Sequence, residues 1–400
     1  MQLNCPMPKF DFDVITLGHG SGGLLTHKLL ESGVFDLFKN DLLDQQHDGA
    51  SFSLEGNIAF STDSYVVTPI FFPGGNIGDL AVNGTVNDLA MCGARAKYLS
   101  LSFILEEGLT MDDFWKILVS IKETADKAGV KIVTGDTKVV EKGKGDKVFI
   151  NTSGIGIMHP KAKIHHNNIQ AGDKIIISGQ LANHGITIMS LRKGLEFETT
   201  IQSDTTALHD TVMKMLDTFG DNIRFLRDPT RGGPASVLNE IAGLTRLGYL
   251  LQQSALPIDP QVEGACEMLG LDPLYIANEG IFLAIVKADV ADEFLSALKQ
   301  DSNGIHAAII GEVTKANSGK VILNSSIGGQ RVVGFLPGEQ LPRICSYFHS
   351  HLYVISHFLV SFIFVFLSSN EYENLLRPAR RAGGFDTIII PGIPGQNLKY

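Results

Sequence analysis

The sequence has few cysteines and no concentration of positive charge, and both absences limit what the protein can be. Its four cysteines form no CxxC pair and lack the close Cys/His spacing of structural zinc sites. The formal net charge is -10 and no Lys/Arg cluster occurs, which argues against binding a nucleic-acid backbone. The first residues have neither a basic start nor an apolar run, so they predict no secretory signal or transit peptide. These features predict a cytoplasmic protein.

The sequence does contain enough apolar material for two folded domains. Of its 400 residues, 44% are hydrophobic and 19% are charged, and strand-like segments alternate with helix-like ones. This alternation predicts an α/β fold. We expect an N-terminal domain over residues 1–160, a C-terminal layered α/β domain over 161–335, a flexible tail over 336–345 and an atypical extension over 346–400. The polar, turn-rich segment 159–174 is the expected junction between the two domains.

A glycine-rich segment near the N-terminus is typical of an anion-binding loop. The sequence GHGSGG occupies residues 18–23 and directly precedes an apolar helical stretch. Backbone N–H groups in such a turn, here at Gly20, Gly22 and Gly23, can surround phosphate oxygens. The GxxxxGK[ST] motif is missing from the sequence, so an ordinary P-loop ATPase is excluded. The alternative interpretation is a flexible turn in which His19 only braces the loop.

Carboxylates stand near predicted strand ends and turns, where they suit Mg²⁺. This ion prefers oxygen ligands and commonly bridges protein carboxylates to nucleotide phosphates. Helix capping and turn formation are the competing interpretations for any one of these positions. We predict four residues that bind the metal and contact the nucleotide: Asp63, Asp88, Asp136 and Asp228.

Two further motifs predict contacts with a nucleotide. Asn83, Asn87 and Asp88 fall on one edge of an otherwise small and apolar helical segment, and Asn87 is the amide we assign to the nucleotide. In DPTRGG a rigid turn leads into a helix, which places Arg231 to face an anion at the helix start. A capped helix with a surface arginine is the alternative for that motif.

Together these motifs resemble the HypE family of hydrogenase maturation proteins, which is similar in fold to aminoimidazole ribonucleotide synthetase and selenophosphate synthetase. GHGSGG, the run STDSYVVTPIFFPGGNIGDLAVNGTVNDLAMCGA, VTGDTKVV, DPTRGG, NEG and PRIC occur in the family's order over residues 11–345. The resemblance implies a PurM-like two-domain architecture whose N-terminal domains pair into a shared barrel in a homodimer. It also implies ATP and Mg²⁺ as cofactors, with the HypF carbamoyltransferase and the HypC–HypD complex as partners.

The resemblance also implies a reaction. HypF places a carbamoyl group on a tail cysteine, ATP phosphorylates the carbamoyl oxygen, and loss of phosphate leaves a thiocyanate that supplies cyanide to the iron of nickel-iron hydrogenase. Cys345 in PRIC matches the acceptor, while Glu279 and Lys138 match positions that the family implies lie near its thiol. Glu279 is the better candidate for removing protons, and Lys138 for stabilising charge on the transferring group. The competing interpretations are that Glu279 caps a helix start, that Lys138 is a surface lysine and that Cys345 is an inert cysteine.

The sequence departs from the family pattern after Cys345, because that residue ends the family's chains and here precedes residues 346–400. The stretch 352–367 is largely apolar but shorter than the about 20 residues of a comfortable membrane span. An internal cysteine must enter a narrow site as a loop, so we expect an intact catalytic body with impaired turnover of the full chain. Two alternatives stay open: a PurM-like synthetase acting on a free small molecule, and a membrane-tethered scaffold without catalysis.

Overall fold

The computed structural model describes residues 7–8, 10, 12–45, 49–193 and 201–336. Cys345, most of the predicted tail and the whole extension, including the stretch 352–367, lie outside these residues. Predictions about them, and about the exact division into domains, stay predictions. Within the described ranges, no helix is long and apolar enough to cross a membrane.

The first half of the described chain builds a four-stranded sheet with helices on one face. The sheet order is β1-β6-β4-β5, in which only the β4–β5 pair is parallel, and β2 and β3 form a separate small hairpin. The strands are β1 (Ile58–Tyr65), β2 (Phe71–Phe72), β3 (Gly75–Asn76), β4 (Ala94–Glu106), β5 (Lys131–Val140) and β6 (Val148–Met158). The helices are α1 (Leu24–Leu29), α2 (Phe35–Phe38), α3 (Ile77–Met91) and α4 (Met111–Ala128), with a 3-10 turn at Leu17–Gly20 and a π turn at Leu30–Val34.

Local side-chain chemistry sets the ends of the two long helices. Before α3, the Asn76 side chain accepts from the N–H of Gly78 at 2.7 Å, and the Asp79 carboxylate accepts from the N–H of Asn76 at 2.7 Å. This reciprocal pair satisfies two donors that a helix start leaves open. Helix α4 begins at the Thr110 cap and ends at Gly129, which takes the left-handed conformation with φ 66°.

The second half builds a seven-stranded sheet covered by helices on both faces. In the interior strand β7, Ile175 and Ile177 face one apolar core and Ile176 faces the other. Because both faces of the strand are buried, its sequence is a continuous apolar run. The sheet order is β13-β12-β9-β11-β7-β10-β8. The strands are β7 (Lys174–Ile177), β8 (Ile223–Arg227), β9 (Gly248–Gln252), β10 (Leu283–Val286), β11 (Ala308–Thr314), β12 (Val321–Asn324) and β13 (Gln330–Val333). The helices are α5 (Asn183–Lys193), α6 (His209–Phe219), α7 (Gly233–Thr245), α8 (Pro260–Leu269) and α9 (Ala291–Leu298).

The predicted α/β fold class is confirmed, and one local expectation is wrong. We expected Asp136 at a strand end or turn, but β5 continues to Val140 and pairs Asp136 with Ser102 of β4. Gly135 makes this continuation possible, because a Cβ atom at that position would lie 2.2 Å from the carbonyl oxygen of Leu101. A glycine that signals a turn in the sequence thus serves here as a point of close strand approach.

We expect Phe114→Ala to lower the free energy of unfolding by about 3–5 kcal/mol, because the change opens a cavity in the first core. Phe114 of α4 is 2% exposed and packs edge-on against Phe103 of β4 at 5.4 Å between ring centroids. Urea titration followed by fluorescence measures the effect. Leu244→Ala, at a position 64% exposed on α7, should change the value by less than about 0.5 kcal/mol. Equal losses in the two variants would contradict this assignment of the core.

Candidate active site

The glycine-rich loop and strand β5 form two walls of a cavity of about 420 Å³. Apolar side chains of the π turn and of α2 close its third side. Four of the predicted site residues line the cavity: Gly20, Gly22, Asp136 and Lys138. Gly23 does not line the cavity and is instead the N-cap residue of α1. A Cβ atom on Gly20 would lie 2.5 Å from the backbone nitrogen of Val139, so only glycine lets the loop lie this close to β5.

His19 holds the glycine-rich loop in place. Its Nδ1 accepts from the N–H of Thr16 at 2.9 Å, and its ring lies 4.2 Å from the ring of Phe12. The hydroxyl of Thr26 donates to the carbonyl of His19 at 2.9 Å and accepts from the N–H of Gly22 at 3.0 Å. Burial lowers the pKa of His19, which favours the neutral ring. These contacts support the interpretation in which His19 braces the loop.

Lys138 stands at the cavity beside a carboxylate that can release it. Its Nζ lies 2.6 Å from Asp136 Oδ1, and both side chains are more than half exposed. An exposed ion pair of this kind contributes little to stability, so separating it costs little. Lys138 is therefore free to bind an anion placed between the loop and β5.

A second group of predicted residues meets near the end of α3. Asp88 accepts from the hydroxyl of Ser61 at 2.7 Å, and Asp63 of β1 is close enough to act on it electrostatically. Asp88 and Asp63 in turn act electrostatically on Asp228 after β8. Burial, and then the charge of Asp88, raises the pKa of Asp228 to about 7. Burial raises the pKa of Asp88, and the exposed guanidinium of Arg231 partly opposes that rise. We call Asp63, Asp88 and Asp228 the acidic cleft.

All three carboxylates of the acidic cleft also act electrostatically on Glu279. Burial raises its pKa well above the ordinary value, and the charges of Asp204 and Asp228 raise it further. It lies in the loop before β10, so the expectation of a helix-start cap is wrong for this position. A carboxyl group in such surroundings holds a proton more tightly than an exposed glutamate does.

The acidic cleft fits Mg²⁺ only as a partial ligand set. Mg²⁺ usually binds one or two protein carboxylates and completes its shell with waters and phosphate oxygens. In the described part of the chain, no three His, Cys, Asp or Glu side chains are arranged to hold a metal ion by themselves. The oxygen donors and their mutual repulsion do suit a cation. Asp136 does not join them, because β5 and β1 are opposite edges of the sheet.

The polar edge predicted on α3 exists, but it contacts protein. Asn87 accepts from the N–H of Leu208 at 2.8 Å and donates to the carbonyls of Thr206 at 2.9 Å and Glu279 at 3.3 Å. Asn83 donates to the hydroxyl of Thr205 at 3.2 Å. These bonds occupy the amide of Asn87, which therefore braces the site from behind instead of facing a nucleotide.

Sequence reasoning missed Asp204, whose carboxylate accepts from the N–H groups of Glu279 and Gly280. It stands in the polar stretch QSDTT, which contains none of the glycine or proline punctuation that drew attention to the other motifs. The one available signal was Gly280 in NEG, since a conformationally free residue beside a charged one often marks a close backbone approach.

Comparison with known proteins gives matches along most of the chain. Residues 46–158 match the family described as AIR synthase related protein, N-terminal domain, and residues 170–324 match its C-terminal domain. The carbamoyl dehydratase HypE of Rhizobium leguminosarum bv. viciae is 48% identical over 332 residues, which cover 83% of this chain and 95% of that protein.

Two solved structures are similar as well. One is a hydrogenase maturation protein HypE in complex with ATP, with a TM-score of 0.79, 46% identity, and coverage of 82% of this chain and 99% of that one. The other is a HypE–HypF complex, whose matching chain has a TM-score of 0.68 and 44% identity and covers 78% of this chain and 100% of that one.

Asp79, in the first turn of α3, makes stability depend on pH. Burial raises its pKa from the ordinary 3.8 to about 7, although the N–H of Asn76 acts in the opposite direction. In the unfolded chain the group loses its proton near its ordinary pKa, whereas the folded chain keeps that proton until about pH 7. Unfolding therefore releases a proton in this window, and the contribution to stability is lost as the pH rises through it.

Asp79→Asn imitates the protonated carboxyl group, so we expect the variant to gain stability relative to the parent chain as the pH rises. Between pH 5 and pH 8 the difference in free energy of unfolding should grow by roughly 2–3 kcal/mol in favour of the variant. Urea titrations at the two pH values measure it, and Asp292→Asn, at an exposed carboxylate of α9, is the control. A difference that stays constant with pH would contradict the burial of a titrating Asp79.

Proposed function

The chain belongs to the HypE family of AIR synthase related proteins, and on that basis we propose that it is an ATP-dependent carbamoyl dehydratase acting on its own Cys345. The family membership confirms the resemblance seen in the motifs. The observation that supports this chemistry best is Glu279, a carboxyl group with a raised pKa beside the acidic cleft. Dehydration of a carbamoyl group removes two nitrogen protons, so it needs a base placed beside the carbamoyl nitrogen.

In the proposed reaction the sulfur of Cys345 keeps its bond to the carbamoyl carbon throughout. ATP supplies the phosphoryl group that turns the carbamoyl oxygen into a good leaving group. Transfer of the phosphoryl group releases ADP and one nitrogen proton, which passes to solvent, and leaves an imidate with a carbon–nitrogen double bond. Glu279 then accepts the second nitrogen proton, the carbon–oxygen bond breaks with release of phosphate, and a carbon–nitrogen triple bond remains. The product is a thiocyanate on Cys345, which supplies cyanide for the iron of nickel-iron hydrogenase.

The residues around the cavity suit the binding of the phosphate groups. The N–H groups of the glycine-rich loop and the charge of Lys138 meet at that cavity, and both stabilise anions. Asp63, Asp88 and Asp228 are the carboxylates that would hold Mg²⁺, and Arg231 adds a positive charge at the rim of the cleft. Bound Mg²⁺ would offset the mutual repulsion of these carboxylates.

The partner set follows from the same proposal. In the solved HypE–HypF complex, the matching chain is similar to this one, and HypF is the carbamoyltransferase that we assign to this chain. The HypC–HypD complex would receive the cyanide, and the whole process would take place in the cytoplasm.

Asp136 and Lys138 lie at the opposite sheet edge from the acidic cleft, so a single chain separates the two halves of the site.

A homodimer would bring these halves together. The sheet face away from α3 carries exposed apolar side chains, among them Ile58 at 51%, Phe60 at 66% and Ile104 at 43%. A sheet face of this kind is commonly covered by a second layer. We propose that the same face of a second copy covers it and places β5 of one chain near β1 of the other.

Phe60→Asp tests the homodimer, because a charge on this apolar face opposes the pairing of two copies. We expect the parent chain to run as a dimer in light scattering after size exclusion, and the variant as a monomer. Met268→Asp changes an equally exposed residue of α8, 72% exposed, and should leave the dimer intact. A dimeric Phe60→Asp variant would remove this face from the interface.

Mass spectrometry of the intact protein tests the reaction. After incubation with HypF, carbamoyl phosphate and ATP, we expect a cyano group in place of the thiol hydrogen of Cys345. A chain ending at Cys345 should gain it faster than the full chain, because the extension makes the cysteine internal. Activity that survives Cys345→Ser would favour a synthetase acting on a free small molecule. Partner binding without ATP hydrolysis in either chain would favour the scaffold.

Glu279→Gln should separate the loading of Cys345 with a carbamoyl group from the dehydration that follows it. The amide keeps the size of the side chain but cannot accept a proton, so the carbamoyl adduct should accumulate while thiocyanate formation slows by about 10²-fold or more. Glu267→Gln on α8, where the side chain is exposed, is the matched control and should behave as the parent chain does. Thiocyanate formation at the parental rate in Glu279→Gln would assign the base to another residue.

A further inference from the structure

The segment 201–208 contacts both halves of the molecule and lies against the loop that carries Glu279. On one side it contacts α3, where Asn83 and Asn87 bind Thr205, Thr206 and Leu208. On the other side it contacts the loop before β10, through Asp204. A shift of this segment would therefore move that loop relative to α3.

The carboxylate of Asp204 is fixed to the backbone of the glutamate loop. The N–H of Glu279 lies 3.3 Å from Oδ1 and 3.2 Å from Oδ2, and the N–H of Gly280 lies 3.0 Å from Oδ2. A buried backbone N–H that loses its acceptor is strongly unfavourable, so both N–H groups depend on this side chain. Two consecutive peptide units are thus held by one side chain.

The backbone of Gly280 packs directly against the backbone of Asp204. A Cβ atom on Gly280 would lie 1.6 Å from the carbonyl oxygen of Asp204, so the two backbones touch where only glycine fits. Asn87 holds the other side of Glu279, since its amide donates to the carbonyl oxygen of that residue at 3.3 Å. The peptide groups before and after the Cα atom of Glu279 are both fixed, which sets the origin and direction of its side chain.

We propose that Asp204 is a positioning residue for the dehydration step, which acts by aiming the carboxylate of Glu279 at the carbamoyl nitrogen. The inference rests on the proposed function and extends it to a residue outside the recognised motifs. Misplacing a reacting group by about 1 Å can cost 10²-fold in rate. Asp204 itself does not touch the reacting atoms.

A simpler role for Asp204 would be to stabilise a turn, and Asp301 offers a matched comparison for it. The Asp301 side chain is 8% exposed, accepts from the hydroxyl of Thr211 at 2.7 Å and from the N–H of Asn303 at 3.1 Å, and pairs with Lys214. It lies in the turn after α9, in a different part of the second half. Asp301→Asn should lower stability without changing the chemistry.

The test compares Asp204→Asn with Asp301→Asn in the full chain by the mass assay for thiocyanate. The amide at 204 turns one acceptor oxygen into a donor that faces N–H groups, so the loop should shift. We expect single-turnover thiocyanate formation to fall 10- to 100-fold, while carbamoyl transfer to Cys345 and the KM for ATP stay as in the parent. Asp204→Ser, which keeps one acceptor oxygen, is the second variant if the amide prevents folding.

A double-mutant cycle with Glu279→Gln then shows whether Asp204 acts through Glu279. If it does, Asp204→Asn should slow the Glu279→Gln background by less than about 2-fold, because the aimed group is already inactive. Independent, multiplying losses would overturn the proposal, and so would a parental rate in both Asp204 variants. The parent chain is the control for the proposed function, because absence of thiocyanate there would reject the dehydratase and not the positioning role.

Discussion

Burial of α3 along almost its whole length is the constraint on which the rest of the molecule depends. Its neighbours approach so closely that a Cβ atom on Gly78 would lie 2.7 Å from the carbonyl oxygen of Ile117, and one on Gly84 would lie 2.3 Å from the hydroxyl of Tyr65. Small residues therefore bring the helix into contact with the sheet, with α4 and with α6. Because one rigid helix carries Asn83, Asn87 and Asp88, the positions of the acidic cleft and of the segment 201–208 are fixed together.

The carboxyl groups near α3 are arranged against electrostatic preference. Asp79, Asp88, Asp228 and Glu279 are all more easily protonated than exposed carboxyl groups, chiefly because burial penalises their charged forms. Groups placed only to stabilise a fold are usually paired with cations. A cluster of unfavourable carboxylates in a cleft is instead typical of a site that binds a cation or moves protons.

The sequence predicted elements whose signals are local and missed contacts made across long distances. Helix α4 has a threonine cap, amphipathic spacing and a terminal glycine, so residues 111–128 could be assigned directly. Asp136 was placed at a strand end or turn, whereas the strand continues past it because Gly135 packs closely against the carbonyl oxygen of Leu101 on the neighbouring strand. Asp204 could not be found, since its partners lie more than 70 positions away and its own surroundings are an ordinary polar stretch. Asn87 was predicted to contact the nucleotide, whereas the hydrogen-bond partners of its side chain are backbone groups from segments distant in the sequence.

The end of β13 at Val333 determines how the proposed substrate meets the site. From there to Cys345 the backbone can extend at most about 40 Å. A thiol tethered in this way has a local concentration set by the length of its tether and not by the amount of protein in solution. Within an assembled dimer, dehydration would then be indifferent to dilution, whereas loading of the thiol by a separate carbamoyltransferase would slow in proportion to it.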